Sequence, residues 1–400
     1  MPESLIEVEA AWDCIERVLQ PLASEDVLLG SAVGRVLASA VHCDRDYPPF
    51  ARAAMDGFAV RAVDVARASP GAAVQLQVIG ESTPGIGFEG VARDGTAIRI
   101  MTGAAVPAGW DSVVPVEHTS GFGGETVQVT QASGAGDHIV PRGVERRAHE
   151  SVYEPGHALT AADVGALAML GMHRVHVHRL PALVILSTGN ELVSHDRAVE
   201  ALQIRDSNAP MLAALAAARA SVRMLGHAVD TRQDLEAPIA LGLQSDLMIV
   251  TGGVSKGAYD FVGEVLQSAG VHMHFAGVSL QPGKPVAFGT HAQGAVLALP
   301  GNPVSALTTF RLFGLPVLLR LQGARATRPV WTPFRARFSW VRRNPKCLVL
   351  PGRRDEDGVE RVPYAGSGDL LAYARADCQI VLNRGIDRVE PGDMVPVWPL

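Results

Sequence analysis

The sequence predicts a multidomain α/β protein built around a doubly wound parallel sheet, with β-rich segments before and after it in the chain. Leu183-Val-Ile-Leu186, Leu247-Met-Ile-Val250 and Ala295-Val-Leu-Ala-Leu299 are continuous apolar runs, as expected of strands buried on both faces. Helical patterns alternate with them at 209–220, 260–269 and 304–321, the last kinked at Pro316. Period-two alternation punctuated by Gly and Pro fills 46–143 and returns after Thr327.

In chain order, 5–40 reads as helical, with Trp12, Ile15, Val18 and Leu19 at helix-face spacing and a break at Pro21. Short strands are expected at 74–79, 97–101 and 126–131, forming a small β domain. Residues 160–170 read as a helix running into Val175-His-Val-His178, a segment expected to return to the N-terminal helices. In the last segment Phe334, Ala336, Phe338 and Trp340 share one face and Arg335 and Arg337 the other, which predicts a compact β domain.

The 400 residues set a prior of two to four domains, and 48% hydrophobic against 19% charged residues excludes a disordered chain. Lys plus Arg number 35 and Asp plus Glu 41, a net charge of −6 that offers no global field for nucleic acid or an anionic membrane. The acidic N-terminus carries no visible export signal, and no stretch is expected to span a bilayer, since even 312–321 is interrupted by Gly314, Pro316 and Arg320. Cysteines 14, 43, 347 and 378 are too scattered for a disulfide framework, which suggests a reducing cytoplasm and no cysteine metal site.

Each apolar run ends in a polar, glycine-containing turn: Ser187-Thr188-Gly189-Asn-Glu191, Thr251-Gly252-Gly253-Val-Ser255-Lys-Gly257-Ala-Tyr-Asp260 and Pro300-Gly301-Asn302-Pro-Val-Ser305. Such turns should meet at one sheet edge, where glycine permits close backbone approach and helix N-termini favour phosphate. Glu191, Asp206, Asp230 and Asp260 lie at or near element ends. Carboxylates beside a phosphate site repel it unless a cation such as Mg²⁺ lies between them, so a metal-dependent site for an anionic substrate is expected. Gly253-Val-Ser255-Lys-Gly257 also matches a hydrolase nucleophile elbow, although no HGGG-type oxyanion loop accompanies it. The segment 277–284 fails as a P-loop, because Val278 and Pro285 occupy required positions, but Lys284 can serve phosphate as a point charge. His173, His176, His178, His272 and His274 read as solvated strand faces rather than a zinc site, and the C-terminal cations as a polar face, a subset of which could complete an anion site. Met55-Asp56-Gly57 has the look of a loop presented to a neighbour, and Thr102-Gly103 follows a strand.

Seven segments together resemble one family: Ala54-Met-Asp-Gly-Phe-Ala59, Arg99-Ile-Met-Thr-Gly-Ala104, Ser187-Thr-Gly-Asn-Glu-Leu192, Arg205-Asp-Ser-Asn208, Thr251-Gly-Gly-Val-Ser-Lys-Gly257 with Asp260, Pro282-Gly-Lys-Pro285 and Leu299-Pro-Gly-Asn-Pro-Val-Ser-Ala306. In that order they resemble the motifs of the MoeA family of molybdopterin molybdenumtransferases, of the gephyrin E-domain type. The resemblance implies a homodimer of four-domain subunits. These are a linking domain (1–45 plus 144–178), a β-rich domain (46–143), a three-layer α/β/α molybdopterin-binding domain (179–325) and a C-terminal β-barrel-like domain (326–400). It implies cytoplasmic insertion of molybdenum from molybdate into adenylylated molybdopterin, with AMP released and Mg²⁺ assisting. By motif position Asp56, Thr102, Glu191, Asp230 and Asp260 would be the catalytic residues, with Glu191 and Asp260 on the cation and Asp56 reaching in from the partner subunit. Thr188, Gly189, Gly252, Gly253, Ser255, Gly257, Lys284, Pro300, Gly301, Asn302, Ser305 and Ser367 would bind the pterin substrate, and Arg353 is a further contact. Partners implied are a second copy of the chain, an upstream molybdopterin adenylyltransferase and molybdoenzyme acceptors or chaperones.

The chain departs from some relatives at Gln281 and Gly277, where they carry lysine, and at Glu145, where a Gly-Glu-Asp segment is common. Fewer cations would weaken oxyanion binding or mark a specialised paralogue, inserting tungsten or binding pterin without catalysis. A scaffold role gains no support from a chain without long linkers, and a serine hydrolase would act through Ser255.

Overall fold

A computed structural model of the chain describes residues 5–253 and 261–400. They form two compact units, 40–154 and a discontinuous one of 1–39 with 155–400.

The smaller unit is built on a five-stranded sheet in the order Ser112–Pro115, Gly57–Val60, Thr96–Ile100, Val74–Ser82, Thr126–Val129. Gly57–Val60 is buried along its whole length. Phe58 and Val60 pack with Leu76, Val114 and Val127 on one face, and Ala59 packs with Ile98, Trp110 and Val113 on the other. Gly57 is obligatory there, because a Cβ would lie 2.0 Å from the Val114 carbonyl oxygen. Asp56 therefore sits at the very start of a rigid central strand.

In the larger unit the six strands of the central sheet are β1 (Ala182–Thr188), β2 (Ser221–Ala228), β3 (Leu247–Thr251), β4 (His272–Ala276), β5 (Ala287–His291) and β6 (Gly294–Leu299). Their order is β2-β1-β3-β6-β5-β4. The first four are parallel, whereas β5 runs antiparallel to both β6 and β4. The expected parallel sheet is thus a mixed one. Only Ala292 and Gln293 separate β5 from β6, and so short a link can join only antiparallel neighbours. The helices are α1 (Asn208–Ala216), α2 (Arg232–Gly242), α3 (Phe261–Ser268), α4 (Pro303–Thr309) and α5 (Leu315–Leu321). Alternate strand residues face opposite layers. Leu183, Ile185, Ile249 and Leu297 pack with Leu212, Phe310 and Val317, while Leu186, Met248, Val250 and Val296 pack with Leu235, Ile239 and Val262. This is the three-layer α/β/α arrangement.

Strand β2 and helix α2 escape the sequence patterns. β2 is an edge strand, mostly exposed and without an apolar run, and α2 carries Pro238 in its interior. The N-terminal helix is also shorter than expected, ending at Val18, and Ser24–Leu28 is a strand antiparallel to Arg174–His178. Pro21 cannot donate to a continuing helix, and the extended chain beyond it pairs with the returning segment instead. That segment follows a helix, Ala161–Met169, whose start is fixed by a reciprocal Thr160–Asp163 capping box, a device contributing about 1 kcal/mol.

Between α4 and α5 lies a π-helical turn, Phe310–Gly314, so that helical backbone runs from Pro303 to Leu321. By length and mean hydropathy (1.4) this stretch could cross a membrane, contrary to expectation, but 83% of it is buried in the fold, the mark of a core helix. Pro316 has no N–H to offer the Leu312 carbonyl four residues earlier, and the indole N–H of Trp12 donates to that carbonyl at 2.7 Å. The N-terminal helix is stitched to the core through this defect.

In the C-terminal segment, Cys347–Asp355, Cys378–Leu382, Met394–Pro399 and Thr332–Arg335 pair in sequence, with Gly358–Arg361 on the far side of Cys347–Asp355. A bridge between Ala336 and Val359 closes these five strands into a ring around Leu350, Ile380, Leu382 and Val397. The segment Leu280–Gln281, from the central domain, adds to the edge at Cys347 and Leu348.

Candidate active site

The carboxyl ends of β1, β2, β3 and β6 converge on a cavity of about 320 Å³ lined by Thr188, Gly189, Asn190, Glu191, Asp230, Gly252, Gly253, Pro285, Pro300, Gly301 and Asn302. The glycines let the turns nest. A Cβ on Gly252 (φ +100°) would lie 2.2 Å from the Thr188 carbonyl oxygen, and one on Gly301 would meet the Gly252 Cα at 3.4 Å. We expect Gly252→Ala to abolish most activity and destabilise the domain by about 1–3 kcal/mol, whereas Gly71→Ala, in open space, should do neither. Urea unfolding and turnover of both variants check this; matching behaviour of the pair would refute it.

Glu191 folds back over Gly189, its carboxylate oxygens 2.8 Å from where a Cβ would stand. The Asp230 N–H donates to Asn190 Oδ1 at 2.9 Å, which fixes the second residue after β2 against the β1 turn. Among the described residues Asp230 Oδ1 is buried without a hydrogen-bond partner, as are Thr188 Oγ1, Ser187 Oγ and Asn208 Oδ1. Burial, and next the negative charge of Glu191, push the Asp230 carboxyl above its ordinary pKa. A buried carboxylate oxygen without a donor, close enough to Glu191 to feel its charge, is costly unless something electropositive answers it. The donors are all hard oxygens, which suits Mg²⁺ rather than a thiolate- or imidazole-preferring metal.

Asn208 is a residue whose role the sequence patterns did not reveal. Its Nδ2 donates to Thr251 Oγ1 and to the Gly301 carbonyl, each at 2.7 Å, tying the second and third turns together. The only sequence signal is its place in Arg205-Asp-Ser-Asn208 at the start of α1. Asp206 belongs to that helix end rather than to the cavity, because its Oδ1 accepts from the N–H groups of Asn208 and Ala209.

The other expected residues divide. Lys284 is exposed and outside the cavity wall, to which its neighbour Pro285 contributes. Ser305 is buried inside α4, also off the wall. Asn302 donates to Ser367 Oγ at 3.0 Å, and the Val304 N–H is taken by the Ser367 carbonyl. With Pro303 lacking an N–H, the start of α4 offers fewer donors to an anion than a free helix N-terminus would. Ser255, Gly257 and Asp260 lie outside the described residues, and with them the hydrolase-like elbow.

In the smaller unit Asp56 Oδ1 accepts from both the N–H and the hydroxyl of Thr102 at 2.7 Å, and these bonds hold its carboxyl below the usual range. Glu145 pairs with Arg52 at 3.1 Å. Gly277 has φ +111°, a backbone conformation that strains any side chain, and a Cβ there would lie 2.8 Å from the Leu5 side chain. His176 pairs with Asp26, His178 with the Leu22 carbonyl and His274 with Thr290, and no cluster of three or more metal-ligating side chains occurs among the described residues.

An α/β/α domain with glycine turns and paired carboxylates at its strand ends defines an enzyme that handles a ligand at the carboxyl edge of an open sheet. Consecutive stretches match family models described as MoeA N-terminal region (domain I and II), residues 6–171, "Probable molybdopterin binding domain", residues 184–320, and MoeA C-terminal region (domain IV), residues 334–400. The chain is 33% identical to a molybdopterin molybdenumtransferase of Nostoc over 94% of its length and 89% of the relative's. It is 32% identical to the Haemophilus influenzae molybdopterin molybdenumtransferase, over 98% and 97%. The crystal structure of the molybdopterin biosynthesis MoeA protein from Pyrococcus horikoshii superposes with a TM-score of 0.85 at 25% identity, covering 99% of this chain and 100% of that one. The chain belongs to the MoeA family of molybdopterin molybdenumtransferases and is a transferase of molybdenum cofactor biosynthesis.

Proposed function

We propose that the chain inserts molybdenum from molybdate into adenylylated molybdopterin and releases AMP. The observation that supports this reading is the buried Asp230 Oδ1, without a partner among the described residues, in a cavity it lines together with Glu191 and the glycine turns. Glu191 and Asp230, with Asp260 by motif position, would hold Mg²⁺. When bound, Mg²⁺ neutralises these carboxylates and the anionic groups brought between them. Gly189, Gly252, Gly253 and Gly301 admit the phosphates close to the backbone, and Asn208 keeps their turns at a fixed separation. The Asn190 side-chain oxygen orients Asp230 by accepting the Asp230 backbone N–H. Molybdate-dependent AMP release from adenylylated molybdopterin by the purified chain tests the reading; AMP release indifferent to molybdate would overturn it.

In this reading the chain works as a homodimer, receives its substrate from a molybdopterin adenylyltransferase and passes the product to molybdoenzymes or their chaperones. Asp56, exposed and pre-oriented by Thr102, serves the cleft of the partner copy. Two inactive proteins, Asp56→Asn and Asp230→Asn, should then complement each other when co-expressed. Random pairing leaves half the dimers mixed, each with one intact cleft, so about a quarter of wild-type activity should return. No recovery in isolated mixed dimers would place both residues in one subunit's site.

A further inference from the structure

The stretch 277–286 is a closed loop. The Gly277 N–H donates to the Val286 carbonyl and the Val278 N–H to the Lys284 carbonyl, each at 2.9 Å, so its two arms lie side by side. Near its far end Gly283 rests on α4, where a Cβ would stand 2.4 Å from Thr309 Cγ2, and Pro285 forms part of the wall of the carboxylate cleft. A short loop tied to itself moves as one piece, so whatever holds its base also places Pro285. Among the described residues two chain segments grip that base, and they come from distant parts of the sequence. On one side the Ile6 N–H donates to the Gly277 carbonyl at 3.2 Å, and the Ile6 carbonyl accepts from the Ser279 N–H at 2.7 Å, a parallel bridge of Ile6 with Val278. On the other the Cys347 N–H donates to the Ser279 carbonyl at 2.9 Å, where Leu280 and Gln281 run parallel to Cys347 and Leu348.

Val278 and Ser279 are buried, so the Ser279 N–H cannot turn to solvent if Ile6 withdraws. Glu7 extends the grip to the C-terminal domain, accepting from Arg384 at 2.5 Å just beyond the strand Cys378–Leu382. The N-terminal helix begins at the next residue, and Val8, Ala11 and Trp12 anchor it in the core. We infer that Ile6 is a positioning residue for the cleft: its two main-chain bonds fix the base of the 277–286 loop and so set where the Pro285 wall stands, while the Glu7–Arg384 pair keeps Ile6 engaged. The inference rests on the reading of the cleft as the site of the molybdopterin substrate. A wall touches ground state and transition state alike, so displacing it weakens substrate binding and leaves turnover of the bound complex nearly intact.

Ile6→Pro in the full-length protein deletes the bond donated to Gly277, whereas Ile6→Val keeps both bonds. In AMP-release kinetics Ile6→Pro should raise KM for adenylylated molybdopterin about fivefold or more and hold kcat within about twofold, and Ile6→Val should restore the wild-type KM. Equilibrium binding of molybdopterin alone should weaken in Ile6→Pro by a similar factor, and amide hydrogen exchange should quicken across 277–286 but not in β1 or β3. Should Ile6→Pro not fold, Glu7→Arg sets two cations together without touching the bridge; it should raise KM about twofold, and Glu7→Arg with Arg384→Glu should reverse the change. An unchanged KM in Ile6→Pro, a fall in kcat at constant KM, or, in the charge series, an unchanged KM or one that the double exchange does not restore would each overturn the inference. If even the wild type released no AMP, the proposed reaction would fail, and molybdopterin binding by the same variants would still decide the role of Ile6.

Discussion

Asp230→Asn is expected to lower turnover by about 10²–10³-fold while raising the unfolding temperature. The two effects share one cause. In the folded chain the Asp230 carboxylate is desolvated and faces Glu191, so ionising it costs the fold free energy. Its folded pKa is therefore above the unfolded one. The stability it contributes is fully present below the unfolded pKa and is lost as pH rises through the folded value. Asparagine keeps the shape and removes that loss, but it cannot supply the charge a cation needs. Mg²⁺ binding to the wild type should strengthen as pH rises through the raised pKa, with a proton released, and this pH dependence should flatten in Asp230→Asn. Thermal unfolding and Mg²⁺ titration at several pH values separate a functional carboxylate from a structural one. Activity and unfolding temperature falling together would mean that Asp230 merely holds the turn.

Arg311→Ala should be the most destabilising single replacement in the larger unit, by about 3–5 kcal/mol. Arg311 is 5% exposed, within the π-helical turn. Its guanidinium donates to Gln379 Oε1 at 2.8 Å and to the Pro399 carbonyl, and it lies 3.9 Å from the centroid of the Trp398 ring. Burial lowers its pKa to about 10, so it remains charged at neutral pH. Alanine leaves the buried Gln379 Oε1 unmatched and a gap beneath the last strand, whereas Arg311→Met keeps most of the volume and should cost less. Urea denaturation followed through tryptophan emission measures this, with exposed Arg223→Ala as the reference. A midpoint shift no larger than that of the reference would show that Gln379 and the C-terminal strand find other partners.

Much of the architecture is legible in the residues because burial writes itself as apolar runs. β1, β3 and β6 are enclosed on both sides and read clearly. β2 reads as nothing, since an edge strand needs neither an apolar run nor strict alternation when most of its residues meet solvent. The hairpin of β5 and β6 depends on a two-residue link whose effect is geometric rather than compositional. The cleft is similar. Glu191, Asp230 and the glycines announce themselves as polar punctuation after buried strands. The linking role of Asn208 depends on where Thr251 and Gly301 come to rest, which no local pattern encodes. Lys284 and Ser305 show the reverse: both sit in motifs beside the cleft, yet the backbone carries one to the surface and the other into the core.

The stitch between Trp12 and Leu312 also has a meaning in time. Residues 40–154 are contiguous and can fold as soon as they leave the ribosome, but the unit that holds Trp12 is completed only by the end of the chain. At synthesis rates of about 5–20 residues per second the wait is on the order of ten to fifty seconds. Throughout it the N-terminal helix, with Ala11, Trp12 and Ile15 destined for the core, has no surface to dock against. The nascent protein therefore carries an amphipathic helix whose apolar face is in search of a partner for most of its synthesis, which makes that face a natural point of engagement for a chaperone.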